Sequence, residues 1–169
     1  LLTVVKGVKK SQKHVSKPSS GIRICIDYRA LNAASYRTHD KIILPTAREL
    51  IDTIGKAKPK YISALDLRAG FWQISLEESS RDYTAFNWMR KFYRWNVLPM
   101  GLATSSWQFQ RVMYKILGDV VGKGVVVYLD DIICYSSTKE EHMKLLEYIF
   151  DSFAKAHLRL HPKKCKYFT

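Results

Sequence analysis

Apolar residues recur in this chain at every second position or at every third to fourth position, which predicts both strands and helices. Alternation predicts strands at residues 1–8, 22–28, 72–76 and 83–88, and strand-like composition predicts others at 61–66, 92–98, 125–128, 132–135 and 158–168. Helical spacing predicts helices at residues 44–54, 105–117 and 138–156. Residues 30–35 are predicted to be a linker with a short turn, and residues 67–71 a turn or short helix. A chain of 169 residues forms one large domain or two tightly joined lobes.

Turn and capping residues mark the ends of two predicted helices. Pro45 fits the first turn of the first helix, and Gly55 fits its C-terminal end. Ser137 and Glu140 have the spacing of a capping box, which predicts the start of the last helix. That last helix also has the clearest apolar periodicity in the chain.

Two neighbouring aspartates, Asp130 and Asp131, interrupt the β-branched and aromatic run of residues 125–135. Val, Ile and Tyr favour strands, whereas an unpaired pair of carboxylates inside a buried strand is very unfavourable. The pattern therefore predicts a tight hairpin with Leu129, Asp130 and Asp131 at its tip. Because successive residues of a strand face opposite sides, only a turn lets both acids serve one site. The alternative is an ordinary hairpin turn that happens to contain aspartates.

The composition adds a strong positive charge to this picture. Lys and Arg number 28 against 15 Asp and Glu, which leaves a formal net charge of +13. A globular domain with this excess suits a polyanionic partner, and nucleic acid is the common one. A merely solvated basic surface is the alternative. The basic residues 9–21 are predicted to be a loop at a hairpin tip, or else a disordered basic arm.

Cysteine usage and hydropathy indicate a soluble protein of a reducing compartment, and we expect a cytoplasmic location. The chain has three cysteines, an odd number that argues against a disulfide framework. Cys25 and Cys134 lie in apolar runs and are expected to be small buried residues. The sequence contains no run of 18 apolar residues and no signal-peptide pattern, so we expect no membrane partner.

A third carboxylate, Asp66, ends another predicted strand in the same way as the aspartates of the hairpin. If these strands are neighbours, Asp66, Asp130 and Asp131 converge, and their charges repel unless divalent cations neutralise them. Mg²⁺ is the natural occupant, because it prefers oxygen ligands from carboxylates and phosphates. Two such ions suit in-line phosphoryl transfer, so the acids predict a polymerase or nuclease.

The sequence resembles the reverse transcriptases, and among them those of gypsy-type long-terminal-repeat retrotransposons. The resemblance covers nearly the whole chain and rests on six blocks in the family's order. They are Arg-Ile-Cys-Ile-Asp-Tyr-Arg-Ala-Leu-Asn (23–32), Leu-Asp-Leu-Arg-Ala-Gly-Phe-Trp-Gln-Ile (65–74), Leu-Pro-Met-Gly-Leu (98–102), Phe-Gln (109–110), Tyr-Leu-Asp-Asp (128–131) and Lys-Lys-Cys-Lys-Tyr-Phe (163–168).

The resemblance implies an α+β fold, the fingers and palm of a right-hand polymerase, with an antiparallel palm sheet packed against helices. Residues 1–60 and 77–98 would form the fingers, and residues 61–76 and 99–169 the palm. The thumb and ribonuclease H of the family would lie beyond this chain, in a polyprotein that also carries an integrase and assembles into a virus-like particle.

The family's functional residues fall on identifiable positions of this chain. Asp66, Asp130 and Asp131 would be catalytic and would bind two Mg²⁺ ions, with Mn²⁺ as a substitute. The matched nucleotide-binding residues are Lys17, Arg23, Phe71, Met100 and Gly101, and the matched primer or template residues are Tyr128 and Gln110.

These matches imply specific interactions with substrates. Phe71 would be a sugar gate, a bulky ring that clashes with the 2′-hydroxyl of a ribonucleotide, although an aromatic residue packed in the core explains it equally. Met100 departs from the Phe or Gln usual in the family. The implied partners are an RNA or DNA template with its primer, and deoxynucleoside triphosphates.

Two other functions fit parts of the sequence. A degenerate copy of the polymerase would bind nucleic acid through its basic face without catalysis. A zinc module could use His157, His161 and Cys165, which are spaced by four residues. It would need a fourth ligand and a helix that continues through Pro162, so it is the weaker alternative.

Overall fold

A three-stranded antiparallel sheet lies at the centre of the fold. The computed structural model describes residues 2–6, 22–35, 45–129 and 131–169. Its strands are β3 (Tyr61–Asp66), β6 (Val125–Tyr128) and β7 (Asp131–Ser136). The order is β3-β7-β6, so β7 is central and pairs with both neighbours. The predicted strands at residues 61–66, 125–128 and 132–135 are therefore confirmed.

One face of this sheet packs against two helices, α4 (Ser105–Leu117) and α5 (Lys139–Lys155). Leu65, Ile132 and Val127 lie in one row across the three strands and are almost fully buried. Each such burial contributes about 1.5–3 kcal/mol relative to an exposed side chain. From the helices, this core takes Phe109, Met113, Leu117, Leu146, Ile149 and Phe153.

Capping explains where two helices begin. Thr138 accepts from the backbone N–H of Glu141, and the Glu141 side chain accepts from the Thr138 N–H, which forms a capping box at the start of α5. The predicted box at Ser137 and Glu140 is therefore wrong by one residue. The helix α2 (Ala47–Ala57) begins at an equivalent box on Thr46, but it continues past Gly55, where its end was predicted.

Several shorter elements surround the sheet. The strand β1 (Leu2–Lys6) pairs with β2 (Ile22–Ile26), as the predicted hairpin requires, while its basic loop at residues 9–21 lies outside the described residues. The others are α1 (Arg29–Ala34), α3 (Glu78–Arg81), β4 (Phe86–Trp88), β5 (Lys91–Tyr93) and 3-10 helices at Gly70–Gln73, Asp82–Thr84 and Gly118–Val120.

Some predicted strands are wrong. Residues 72–76 begin in a 3-10 helix and contribute only a bridge between Ser75 and Val97, because the Trp72 ring packs on Trp95 instead of lying along a sheet. The strand predicted at 83–88 is reduced to β4, and that at 92–98 to β5. Residues 158–168 form turns with isolated bridges, and the linker predicted at 30–35 is largely α1.

The buried imidazole of His142 fastens α5 to the sheet. Its Nδ1 lies 3.0 Å from Ser136 Oγ, which donates to Thr138 O, and its Nε2 lies 2.7 Å from Ser63 Oγ. Ser63 Oγ also accepts from the Phe168 N–H. These partners assign a neutral ring with the proton on Nδ1. Burial lowers the pKa of His142, which favours the same neutral form.

We expect the free energy of unfolding to decrease as the pH falls below about 6.5, the ordinary histidine pKa. The unfolded chain binds a proton there before the folded chain does, since the folded pKa of His142 is lowered. The loss approaches about 1.4 kcal/mol per pH unit down to the folded pKa. Urea unfolding between pH 5 and 8 checks this. Replacing exposed His157 with Gln should keep the slope, whereas an unchanged slope in His142→Gln would contradict the assignment.

The structure shows how deeply two of the cysteines are buried and whether any helix has the character of a membrane span. Cys134 is fully buried, and burial raises the pKa of its thiol to about 11, so it behaves as the predicted small apolar residue. Cys25 is only half-buried, so the expectation of burial was wrong there. Within the described ranges, no helix combines the length and apolar character needed to cross a membrane.

Candidate active site

The sheet register brings Asp66, Asp131 and Tyr128 into one row. Asp66 of β3 lies directly opposite Asp131 of β7, which lies opposite Tyr128 of β6. Residues that are directly opposite share a face, with Cβ atoms about 5 Å apart. This face is the reverse of the one that packs against α4 and α5. Asp66 and Asp131 thus lie side by side as expected, but through β7, which follows the acidic pair, since β6, which precedes it, is not a neighbour of β3.

The hairpin that was predicted from the acidic pair is present. Tyr128 of β6 pairs with Asp131 of β7, and Leu129 has a left-handed backbone with a φ of 52°. Asp131 begins strand β7 instead of lying in the turn. Asp130 lies outside the described residues, so its convergence with the other two acids stays a prediction. Among the described residues, no three Asp, Glu, His or Cys side chains cluster as metal ligands.

A lysine already occupies one side of Asp66. The Lys164 ammonium lies 3.0 Å and 3.3 Å from the two carboxylate oxygens, and the Asp66 side chain is 23% exposed. Asp131, its neighbour across the strands, is exposed. Two facing carboxylates repel each other, and a cation between or beside them relieves the repulsion. The ion pair thus shows a place beside Asp66 that accommodates positive charge.

The C-terminal segment runs along the edge of β3 that faces away from β7, and this places Lys164 beside Asp66. Bridges join Leu67 to Leu160 and Ala64 to Lys166, on either side of the acid. Between these bridges, the His161 N–H donates to the Asp66 carbonyl at 2.8 Å. Asp66 is therefore held by backbone contacts on both of its edges, which fixes the direction of its side chain.

Gln110 lies under the same hairpin. It is fully buried on α4, and its Nε2 donates to the Val127 carbonyl at 2.8 Å, one residue before Tyr128. Its Oε1 is buried without a partner within the described structure. The resemblance placed Gln110 among the primer or template residues, but its contacts are with β6. We infer that it orients the hairpin from beneath.

Phe71 lies in the 3-10 helix that follows β3. Its side chain is 8% exposed, and its ring centroid is 5.0 Å from that of Phe109 in the core. These contacts place the Phe71 ring in the core. Its assignment as a sugar gate stays a prediction.

Met100 and Gly101 lie in the loop before α4. The Met100 side chain is 48% exposed. Gly101 has a φ of +94°, which side chains rarely adopt, and a Cβ there would lie 3.6 Å from the Tyr28 ring. The loop thus presents an exposed methionine beside a backbone that only glycine fits well. Their contact with a nucleotide stays a prediction.

Two of the predicted nucleotide-binding residues are described only in part or not at all. Arg23 lies in β2 opposite Val5, but its side chain is not among those described. Lys17 lies outside the described residues. The zinc alternative is contradicted, because α5 ends at Lys155 and turns separate His157, His161 and Cys165.

Sequence reasoning missed Lys164 and Asn32. Lys164 is one of three lysines between residues 163 and 166, and nothing in their spacing shows which one reaches an acid 98 positions earlier. Asn32 contacts the Met100 loop across about 70 positions. Both lie within blocks that carry the family resemblance, and that was the one available signal.

The comparisons with known proteins agree with this geometry. The model of the family described as reverse transcriptase (RNA-dependent DNA polymerase) matches residues 9–169. The Pol polyprotein of transposon 412 from Drosophila melanogaster is 37% identical over 146 residues, which cover 86% of this chain and 12% of that protein. The genome polyprotein of Petunia vein clearing virus is 34% identical, over 85% of this chain and 6% of its own length.

Solved structures show the same similarity. The protease–reverse transcriptase of prototype foamy virus is 31% identical with a TM-score of 0.77, over 90% of this chain and 20% of that one. A foamy viral protease–reverse transcriptase solved with an RNA/DNA hybrid is 29% identical with a TM-score of 0.72, over 89% of this chain and 20% of that one. The expected α+β polymerase fold is thereby confirmed. This chain spans about a fifth or less of each of these proteins.

Proposed function

Because this chain belongs to the reverse transcriptase (RNA-dependent DNA polymerase) family, we propose that it is the polymerase domain of a retroelement polyprotein. It would add deoxynucleotides to a primer 3′-hydroxyl on an RNA or DNA template. The observation that carries the proposal is the pair of facing carboxylates, Asp66 and Asp131, on neighbouring strands. A purely nucleic-acid-binding domain has no use for two opposed acids on a chain of net charge +13.

The acids fit divalent cations. Asp66 and Asp131 supply oxygen ligands of the kind that Mg²⁺ and Mn²⁺ prefer, and Lys164 shows that positive charge is accommodated beside Asp66. Asp130, next to Asp131 in sequence, would complete the set. When bound, two such ions activate the primer hydroxyl and neutralise the charge that develops on the phosphates. The chain's own part is to hold these carboxylates on a rigid sheet edge with a fixed register.

Other residues would bind and orient the substrates. The guanidinium of Arg23 and the ammonium of Lys17 suit triphosphate oxygens, because their charge is opposite and Arg offers a planar fork. Phe71 would exclude ribonucleotides, Met100 and Gly101 would line the nucleotide pocket, and Tyr128, in the row with Asp131, would approach the primer end.

The division into fingers and palm is part of the proposal. The sheet with α4 and α5 would be the palm, and the paired strands β1 and β2, with the β4–β5 hairpin, would belong to the fingers. A thumb, a ribonuclease H and an integrase would be supplied by the rest of a polyprotein, in keeping with the polyprotein relatives. Such a polyprotein would act in the cytoplasm, within a virus-like particle.

Single-nucleotide addition tests the proposal. A DNA primer annealed to an RNA template is incubated with Mg²⁺ and each deoxynucleotide in turn, both with this chain and with a polyprotein that contains it. We expect addition of the complementary nucleotide only. If both proteins bind the primer–template but add nothing, the function is nucleic-acid binding and the polymerase proposal is wrong.

A further inference from the structure

Asn32, the fourth residue of α1, makes two hydrogen bonds with the loop that carries Met100 and Gly101. Its Nδ2 donates to the Gly101 carbonyl at 2.9 Å, and its Oδ1 accepts from the Ala103 N–H at 2.8 Å. A primary amide is the side chain that offers one donor and one acceptor to a peptide backbone. The two bonds together fix the orientation of the amide.

Few side chains of this loop are buried. Met100, Gly101 and Ala103 are exposed, and Leu102 between them is half-buried. Its base is tied by Ser105, whose hydroxyl donates to the Pro99 carbonyl at 2.6 Å. Asn32 therefore supplies the polar contacts that hold the middle of the loop against α1.

The segment that carries Asn32 is itself firmly placed. Tyr28 is buried and donates to the Thr84 carbonyl at 3.2 Å, and its ring lies beneath Gly101. Arg29 donates to both oxygens of Asp27, a bidentate pair that lowers the pKa of Asp27 to about 2. The loop is thus contacted by two side chains, the Tyr28 ring and the Asn32 amide.

We propose that Asn32 is a positioning residue that sets the loop of Met100 and Gly101 relative to β2 and thereby determines the affinity for the incoming nucleotide. The inference rests on the proposed function, in which this loop and Arg23 contact one nucleotide. Arg23 lies in β2, three residues before the end of that strand, and α1 follows directly. Asn32 would keep the two groups at a constant separation.

Two variants separate the two bonds. Asn32→Ala removes both, and we expect the KM for the complementary deoxynucleotide to rise roughly fivefold to tenfold while kcat changes less than about twofold. Asn32→Asp keeps the acceptor for the Ala103 N–H but cannot donate to Gly101, so it should raise KM while leaving the Ala103 amide protected. The matched control is Ser35→Ala, which removes a hydrogen bond from the residue after α1 to the Leu31 carbonyl and should leave KM unchanged.

Amide hydrogen exchange at Ala103 tests the contact without any activity. Exchange should quicken roughly fivefold to tenfold in Asn32→Ala and stay near the wild-type rate in Asn32→Asp and Ser35→Ala. Unchanged exchange in Asn32→Ala would overturn the inference. So would faster exchange with an unchanged KM, since Asn32 would then hold the loop with no effect on nucleotide binding.

The outcome also separates this inference from the proposed function. A role limited to helix stability predicts that Asn32→Ala is neutral or stabilising, because alanine favours helices more than asparagine does. If wild-type protein adds no nucleotide in any form, the proposed function fails and the nucleotide part of the inference falls with it. The exchange rates then still show whether Asn32 holds the loop.

Discussion

Asp131→Asn is expected to reduce nucleotide addition by about 10³-fold or more while leaving primer–template binding intact, because metal ligation is worth several kcal/mol to the transition state. Asparagine has the size of aspartate but lacks the second anionic oxygen. The substitution should also leave the fold intact, since residue 131 is exposed at the start of β7. Rapid-quench incorporation and filter binding measure the two quantities.

The unfolding temperature of the same variant shows whether misfolding causes the loss of activity. Asp131 faces Asp66, and directly opposed like charges destabilise a sheet by a few tenths of a kcal/mol or more. Without metal, Asp131→Asn should therefore unfold at the same temperature as the wild type or slightly higher. Asp151→Asn, an equal change of charge at an exposed position of α5, should retain full activity. Normal incorporation by Asp131→Asn would contradict the assignment.

Phe71→Val should weaken the discrimination between deoxynucleotides and ribonucleotides by 10- to 200-fold, the usual range for a changed steric fit in an apolar pocket. Valine keeps an apolar side chain in the core and removes the ring that would meet a 2′-hydroxyl. The ratio of kcat/KM for matched deoxynucleotide and ribonucleotide measures the effect.

The partner ring provides the control for Phe71. Phe109 is fully buried and packs on Phe71, so Phe109→Leu disturbs the same aromatic pair without shortening residue 71. Both variants should be destabilised, since large-to-small core substitutions typically cost about 1–5 kcal/mol. Only Phe71→Val should change sugar discrimination. Equal destabilisation with unchanged discrimination in both variants would leave Phe71 a core residue only.

The parts of the fold that sequence alone predicted are those with a strong local period. The strands around the acidic pair and the last helix are confirmed, because β-branched and aromatic residues fill the strands and apolar residues recur at helical spacing in the helix. The closeness of Asp66 to the acidic pair was expected from two strands, residues 61–66 and 125–128, that each run into an acid, but the structure pairs β3 with β7 instead of with β6. Their register, and the row that they form with Tyr128, required the structure.

The parts that sequence alone missed depend on distant contacts. Trp72 alternates with apolar neighbours as in a strand, but it packs on Trp95 from a 3-10 helix. Lys164 reaches an acid 98 positions away, and Asn32 reaches a loop about 70 positions away. Helical or alternating periodicity carries no information about such pairs, because it reports only which face of an element is buried.

The measurement that most directly tests the central claim is Mn²⁺ binding by electron paramagnetic resonance, with primer–template and a complementary nucleotide that cannot be hydrolysed. If the facing carboxylates hold the cations, Asp66→Asn and Asp131→Asn should each weaken Mn²⁺ binding at least about tenfold, as loss of one charged ligand does. Asp151→Asn should bind Mn²⁺ as the wild type does. Equal Mn²⁺ affinity in the wild type and in both site variants would contradict the account.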